Sequence, residues 1–209
     1  PDDVTKVYQY TIITTVSCSN PTTATGQITV DGEQVTLSSS PGTDAQIVCK
    51  GAPIAPIKYT LSELATAATV TGLPAGVTAG PVTGNVVTIS GSPIDSGTFS
   101  YKIVTTGSSC NADSLTGTIR SNVQTIQKTS GDDNQTLCIN NKMGDILYAV
   151  GGTGTNASVT GLPAGVTGGY VGGNFKISGT PSVSGVFNYT ITTSGACEAA
   201  AITGTITVS

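Results

Sequence analysis

Two side chains that carry much of enzymatic and recognition chemistry are missing from this 209-residue chain, which has no histidine and no tryptophan. Without histidine there is no Ser-His or Cys-His nucleophile pair and no imidazole ligand for a metal. Without tryptophan the broadest aromatic platform for stacking on a sugar is gone. Charge is scarce as well: 8 Lys plus Arg against 12 Asp plus Glu give a net charge of -4, which offers no basic footprint for nucleic acid or for an anionic membrane surface. No apolar run is long enough for direct membrane insertion, and no stretch has a convincing helical period. The opening residues, PDDVTKVYQY, have neither the basic nor the apolar region of a secretory signal, so the N-terminus reads as a cut within something longer.

What is abundant points to short strands and tight turns: 27 glycines, with many Thr, Ser and Val. The chain also repeats itself. TGLPAGV stands at residues 71–77 and again at 160–166, ISGSP (89–93) returns as ISGTP (177–181), and SGTFSYKI returns as SGVFNYTI. Cys49 aligns with Cys138 and Tyr59 with Tyr148 at an offset of 89, and after one-residue deletions Cys110 aligns with Cys197 and Gly117 with Gly204 at an offset of 87. A partial copy opens the chain, with Tyr10, Cys18 and Gly26 in the places of Tyr101, Cys110 and Gly117. The expected organisation is residues 1–31 as the C-terminal strands of an incomplete repeat, 32–120 as one complete repeat and 121–209 as a second.

Units of about 90 residues match the size of an immunoglobulin-like sandwich and can bury a modest two-sheet core. Phe99, Tyr101 and Ile103 alternate with Ser100, Lys102 and Val104, as a half-buried strand does, and Phe187, Tyr189 and Ile191 repeat the pattern. Further strands are predicted at 35–39, 45–49, 57–61, 86–90 and 116–120, with counterparts one unit later. Short turn spacing favours an all-β fold of tandem antiparallel sandwiches, arranged head to tail. TGLPAGV then reads as a corner, with Pro at the turn's first corner, Gly where the chain leaves it, and Leu73 and Val77 aimed inward. GGYVGGN (168–174) reads as a hairpin turn, Gly84-Asn85 matching Gly173-Asn174.

The five cysteines obey the repeat. If the strand ending at Cys49 or Cys138 and the loop holding Cys110 or Cys197 share a pole, the bridges are Cys49 to Cys110 and Cys138 to Cys197, leaving Cys18 unpaired. The alternative joins Cys18 to Cys49 and Cys110 to Cys138, stapling neighbouring repeats. Either implies an oxidising, extracytoplasmic setting. Metal binding by these cysteines is the weaker reading, since there is no C-x-x-C pair.

A site used by both repeats should occupy matching positions, yet almost no charge does: Lys58 faces Leu147, Lys102 faces Thr190 and Asp95 faces Val183. The exception is Asp44 with Asp133, in GTDAQIVC and GDDNQTLC; the choice there lies between a calcium ligand and a turn, and the turn is favoured. Sequons stand at Asn134, Asn156 and Asn188, and the triplet Asp113-Ser114-Leu115 resembles a short bacterial O-glycosylation signal, which would make Ser114 a candidate site. No catalytic, cofactor-binding or metal-binding residue is assigned.

The series Cys, I-x-Y, TGLPAGV, ISGTP-x-x-SG-x-F-x-Y-x-I, a lone Cys and G-x-I-x-V resembles the bacterial immunoglobulin-like repeats of the He-PIG, cadherin-like type. It is similar to the tandem copies in very large surface proteins of flavobacteria and other Bacteroidetes, including gliding-motility and cell-surface adhesins exported by type IX secretion. The resemblance implies an extracellular, outer-membrane-attached stalk or filament and no enzyme activity. Its partners would be neighbouring repeats and, beyond them, surface glycans or other cell-surface proteins. A carbohydrate- or surface-binding accessory module of a secreted hydrolase is the competing reading, with Tyr170 as its loop aromatic.

Overall fold

The computed structural model describes residues 6–15, 21–62, 64–108 and 111–209, all of it strand, turn and loop. Cys18 and Cys110 lie outside the described residues. By compactness the chain divides into two units, Pro1–Gln46 with Pro53–Pro93 and Thr98–Ile119, and Ile47–Ala52 with Ile94–Gly97 and Arg120–Ser209. Segment Ile47–Ala52, first-repeat by sequence, therefore belongs to the second unit.

The second unit contains β11 (Gln124–Ser130), β12 (Asn134–Leu137), β13 (Ile146–Gly152), β14 (Gly154–Thr160), β15 (Val166–Val171), β16 (Asn174–Gly179), β17 (Gly185–Gly195) and β18 (Ala201–Val208). They form two four-stranded sheets, β11-β13-β16-β15 and β12-β18-β17-β14. With the first strand split into β11 and β12, this is the ABED-against-CFG order of an immunoglobulin sandwich. The first repeat has the same order with β3 (Val35–Leu37), β4 (Ala45–Cys49), β5 (Ile57–Leu61), β6 (Ala67–Thr71), β7 (Val77–Ala79), β8 (Val86–Gly91), β9 (Gly97–Thr106) and β10 (Ser114–Asn122), in sheets β3-β5-β8-β7 and β4-β10-β9-β6. The two short strands not predicted in each unit, β6 and β7 with counterparts β14 and β15, are all sheet edges.

Alternation places the cores. Ile57, Tyr59, Val87, Ile89, Tyr101 and Ile103 are buried in the first unit, and Ile146, Tyr148, Phe175, Ile177, Tyr189 and Ile191 stand in the same places in the second. Each core contains a polar pair: the Tyr59 and Tyr101 hydroxyls are 2.9 Å apart, and those of Tyr148 and Tyr189 are 2.7 Å apart. A buried hydroxyl without a partner is costly, and here each satisfies the other across the two sheets.

The partial copy forms a hairpin of β1 (Lys6–Ile13) and β2 (Thr23–Val30), pairing Tyr10 with Gly26 as β17 and β18 pair Tyr189 with Gly204. Its residues Tyr8, Tyr10, Ile12 and Ile28 are exposed.

The TGLPAGV corner closes by hydrogen bonds from Val77 N–H to Pro74 O and from Val166 N–H to Pro163 O, both 3.1 Å. Proline thus occupies the first turn residue, not the first corner as predicted, and the left-handed position is Gly76 (φ 85°) or Gly165 (φ 86°). The same corner accepts Ser92 N–H on Gly76 O, and Thr180 N–H on Gly165 O, both at 3.0 Å. That crossing explains why TGLPAGV and ISG[ST]P recur together. A Cβ on Gly179 would lie 2.3 Å from Gly165 O. The hairpin turns need one correction: Leu61 N–H bonds Asn85 O and Val150 N–H bonds Gly173 O, each 2.8 Å. The counterpart of Gly84-Asn85 is thus Gly172-Gly173, one residue before the predicted match.

The disulfide prediction is also overturned. Cys49 is bonded to Cys197 and Cys138 is an exposed free thiol, so neither Cys49 to Cys110 nor Cys138 to Cys197 forms. The alternative of Cys18 to Cys49 and Cys110 to Cys138 fails with them. The reason is strand direction. β12 runs parallel to β18, with Leu137 opposite Val208, so Cys138 emerges beside the exit of β18. Cys197 lies in the loop between β17 and β18, one whole strand away. Eight residues of strand span about 26 Å, whereas a disulfide needs Cα atoms within about 7 Å.

Two predictions follow from the packing. Tyr189→Phe strands the buried Tyr148 hydroxyl and should cost about 1–3 kcal/mol in urea unfolding, whereas Tyr148→Phe should cost less, because the Tyr189 hydroxyl still donates to Asp133 O at 3.4 Å. Burial also pushes the hydroxyls of Tyr59, Tyr101, Tyr148 and Tyr189 above the usual tyrosine range. The folded state therefore keeps protons that the unfolded chain releases above about pH 10. Stability should be intact below that pH and fall as pH rises beyond it; urea midpoints flat from pH 9 to 11 would contradict this. Separately, Gly179→Ala should lower the midpoint by about 1–3 kcal/mol, through its left-handed backbone and the crossing carbonyl.

Candidate functional site

The disulfide site is built from two framed loops. On one side, β4 delivers Cys49 to a turn in which Ala52 N–H donates to Cys49 O (3.0 Å) and Gly51 takes a φ of 79°. Gln46 holds the strand and the following loop together: its Nε2 donates to Thr43 O (2.7 Å) and Ala55 O (2.8 Å), and its Oε1 accepts Ala55 N–H (2.8 Å). Gln135 makes the same three bonds to Asp132 O, Gly144 O and Gly144 N–H, at 3.0, 2.8 and 3.0 Å. This explains the Gln shared by GTDAQIVC and GDDNQTLC, which sequence reading records as a match without a role.

On the other side, a threonine clamps the neck of the loop carrying the second cysteine. Thr193 N–H donates to Ala200 O (2.9 Å), its Oγ1 donates to the same oxygen (3.2 Å), and Ala200 N–H donates back to Oγ1 (2.8 Å). Thr105 does the same with Asp113, and Thr14 with Thr22. All three copies therefore close the neck of a cysteine-bearing loop in one way. Thr105 and Thr193 are buried, and sequence reading misses them because Thr is too common here to stand out.

Between these frames the sulfurs of Cys49 and Cys197 are joined, with Cα atoms 5.4 Å apart, inside the usual range. Cys49 Sγ lies 3.6 Å from Ala196 O. Lys50 N–H donates to Asn122 O (2.9 Å), and the Gln124 side chain donates to Cys197 O. The open depression beside the bond, about 390 Å³, is lined in part by Lys50, Asn122, Gln124 and Glu198. One amine and one carboxylate there can orient polar groups, but they form no nucleophile-and-base set.

The remaining sequence candidates divide between scaffold and surface. Asp44 and Asp133 share a backbone role: their carbonyls accept the N–H groups of Thr118 (2.7 Å) and Thr205 (2.8 Å). The Asp133 carboxylate is bound by Lys128 at 2.7 Å, which holds it below the usual carboxylate range. Among the described residues no three His, Cys, Asp or Glu cluster as metal ligands. Ser114 is half-buried at the start of β10, its N–H on Asp113 Oδ1 at 2.7 Å. Asn134, Asn156 and Asn188 are exposed strand residues, and Asn188 Oδ1 accepts from the Thr205 hydroxyl at 3.0 Å. Tyr170 lies in β15, not in a loop, and is partly buried against the second core. Matching open depressions of about 400 and 440 Å³ lie over Gly117 and Gly204, lined mainly by hydroxyl and amide side chains.

No family model matches this chain, and neither does any curated protein. Among solved structures it is similar to an I-band fragment of titin, at 11% identity and a TM-score of 0.49, over 83% of this chain and 65% of that one. It is also similar to the protocadherin GammaB4 extracellular domain, at 13% identity and a TM-score of 0.46, over 97% of this chain and 38% of that one. At such distances neither bears on function. The immunoglobulin-like assignment rests on the strand order of each unit.

Non-reducing peptide mapping should recover Cys49 linked to Cys197; a peptide joining Cys138 to Cys197 would refute the site. Gln135→Ala should lower the thermal stability of the second unit by about 1–3 kcal/mol through its lost loop contacts.

Proposed function

We propose that this chain is a structural segment of an extracellular bacterial surface stalk or adhesin, in which tandem immunoglobulin-like units supply reach and resist tension. The observation that carries the reading is the Cys49–Cys197 bond. What the two repeats share beyond their cores is apparatus for holding cysteine loops and crossing strands, and in one place that apparatus ends in a covalent link between first-repeat and second-repeat sequence. A disulfide of this kind suits an oxidising compartment, which supports export and a cell-surface location. The similarity of the repeat motifs to He-PIG-type units of Bacteroidetes surface proteins supports the same setting, with export by type IX secretion and a role such as gliding adhesion. Surface glycans and other cell-surface proteins are the partners that setting offers. The accessory-module reading has less support, since Tyr170, its loop aromatic, stands in β15 and is partly buried against the second core.

Covalent topology makes the proposal measurable. The bond closes a loop with a sequence separation of 148, so a chain pulled by its two ends transmits tension through the sulfurs and spares the residues between them. At about 3.5 Å per extended residue, the oxidised protein should stretch to roughly 200 Å and the reduced protein to roughly 700 Å. Single-molecule pulling with and without reductant reads the difference. Full extension of the oxidised chain would sink the tension-bearing role.

A further inference from the structure

Cys138 is the counterpart of Cys49, and its surroundings reproduce those of Cys49 bond by bond. Its carbonyl accepts Asn141 N–H at 3.2 Å, as that of Cys49 accepts Ala52 N–H at 3.0 Å. The third turn residue, Asn140, has a φ of 63°, where Gly51 has 79°. Ile139 N–H donates to Ser209 O at 2.9 Å, as Lys50 N–H donates to Asn122 O at 2.9 Å. Gln135 clamps the strand as Gln46 does. One difference remains: Cys49 is bonded and Cys138 is an exposed thiol.

We infer that Cys138 is the forward half of a second bond of the Cys49–Cys197 kind. Its partner is the cysteine in the loop between the last two strands of a further copy of this repeat, placed C-terminal to it. Three observations meet in that choice. The occupied site at Cys49 shows what this turn binds; the frame around Cys138 is already built; and the threonine clamp that presents the partner cysteine occurs in all three copies. The bond's polarity follows too, since the strand-end cysteine of one repeat reaches forward to the loop cysteine of the next. The inference rests on the tandem-stalk reading and adds the rule by which successive repeats are stapled.

The chemistry is thiol–disulfide exchange. The Cys138 thiolate attacks a mixed disulfide on the partner sulfur, and the carrier thiol leaves with the displaced electron pair and takes up a proton. Over both steps two thiols lose two electrons and two protons to a disulfide oxidant, which becomes a pair of thiols. Oxidised glutathione serves as that oxidant in the test.

The test extends the chain by a second copy of residues 123–209 after Ser209, so that the copy follows Ser209 as Val123 follows Asn122, and the added loop cysteine lies two residues nearer to Cys138 than Cys197 does to Cys49. Refolding in a glutathione buffer, iodoacetamide alkylation and non-reducing peptide mapping should give two linked pairs, Cys49 with Cys197 and Cys138 with the added loop cysteine. In the 209-residue chain under the same buffer, Cys138 should be fully alkylated and the protein monomeric on non-reducing gels. If Cys49–Cys197 forms in the extended chain while Cys138 stays alkylated or pairs elsewhere, the stapling rule is wrong and the tandem reading survives. If Cys49–Cys197 is itself absent, both are wrong. Disulfide-linked oligomers of the 209-residue chain through Cys138 would place the partner on a second molecule and also overturn the inference.

Discussion

The short strand β12 lies parallel to β18 over Asn134 to Leu137, and the separation of Cys138 from Cys197 depends on that pairing. The approach is possible because of one missing side chain. A Cβ on Gly204 would sit 2.6 Å from Asp133 O and 2.2 Å from the Tyr189 hydroxyl, and Gly117 is hemmed in the same way by Asp44 and Tyr101. Glycine lets the tyrosine ring lie under the strand while the aspartate carbonyl crosses at its edge to receive Thr205 N–H. The buried tyrosine pair and the parallel strand are thus two parts of one packing solution. Together they send Cys138 out at the pole where its repeat ends, opposite the pole where Cys197 sits in the loop between β17 and β18.

Around this node the sequence uses side chains to do what backbone ladders do elsewhere. Gln46 and Gln135 satisfy carbonyls three and nine residues away, and Thr14, Thr105 and Thr193 supply both a donor and an acceptor at a loop neck. These groups are short or locked by several bonds, so little conformational freedom is lost in holding them. A disulfide tolerates only a narrow range of Cα separations. Frames of this kind hold both loops that meet in a bond between residues 148 positions apart.

Much of this architecture is legible in the amino-acid sequence, and the illegible parts share a cause. Strands that bury one full face announce themselves, as Tyr101 and Ile103 do beside Ser100 and Lys102. The edge strands at 67–71 and 77–79 do not, because an edge strand packs lightly and AATVT carries little alternation. Alternation reports which face a side chain takes, but it is silent on whether a strand runs with or against its neighbour. That is why Cys49 and Cys110 look like partners: the direction of β4 is set by a pairing nearly 70 residues away in sequence, which no local pattern encodes. Matching residues at Gln46 and Gln135 are visible in the repeat, yet their role needs the loop geometry that brings Ala55 and Gly144 to them.

The polarity of the bond has mechanical consequences that a pairing within one unit would lack. A disulfide inside each sandwich would protect that sandwich and leave the chain between sandwiches as the only covalent connection along the array. A bond from one repeat's strand end to the next repeat's loop instead closes loops that overlap when the pattern continues, since Cys138 lies within the segment spanned by Cys49 and Cys197. Any cut through such an overlap crosses the backbone and more than one disulfide. Unfolding of a single sandwich would then release almost no length, because tension bypasses it through sulfur. Resistance to extension would depend less on the modest stability of units with about 90 residues than on covalent topology, so the sandwiches need only be stable enough to hold their cysteine loops in place while the bonds form.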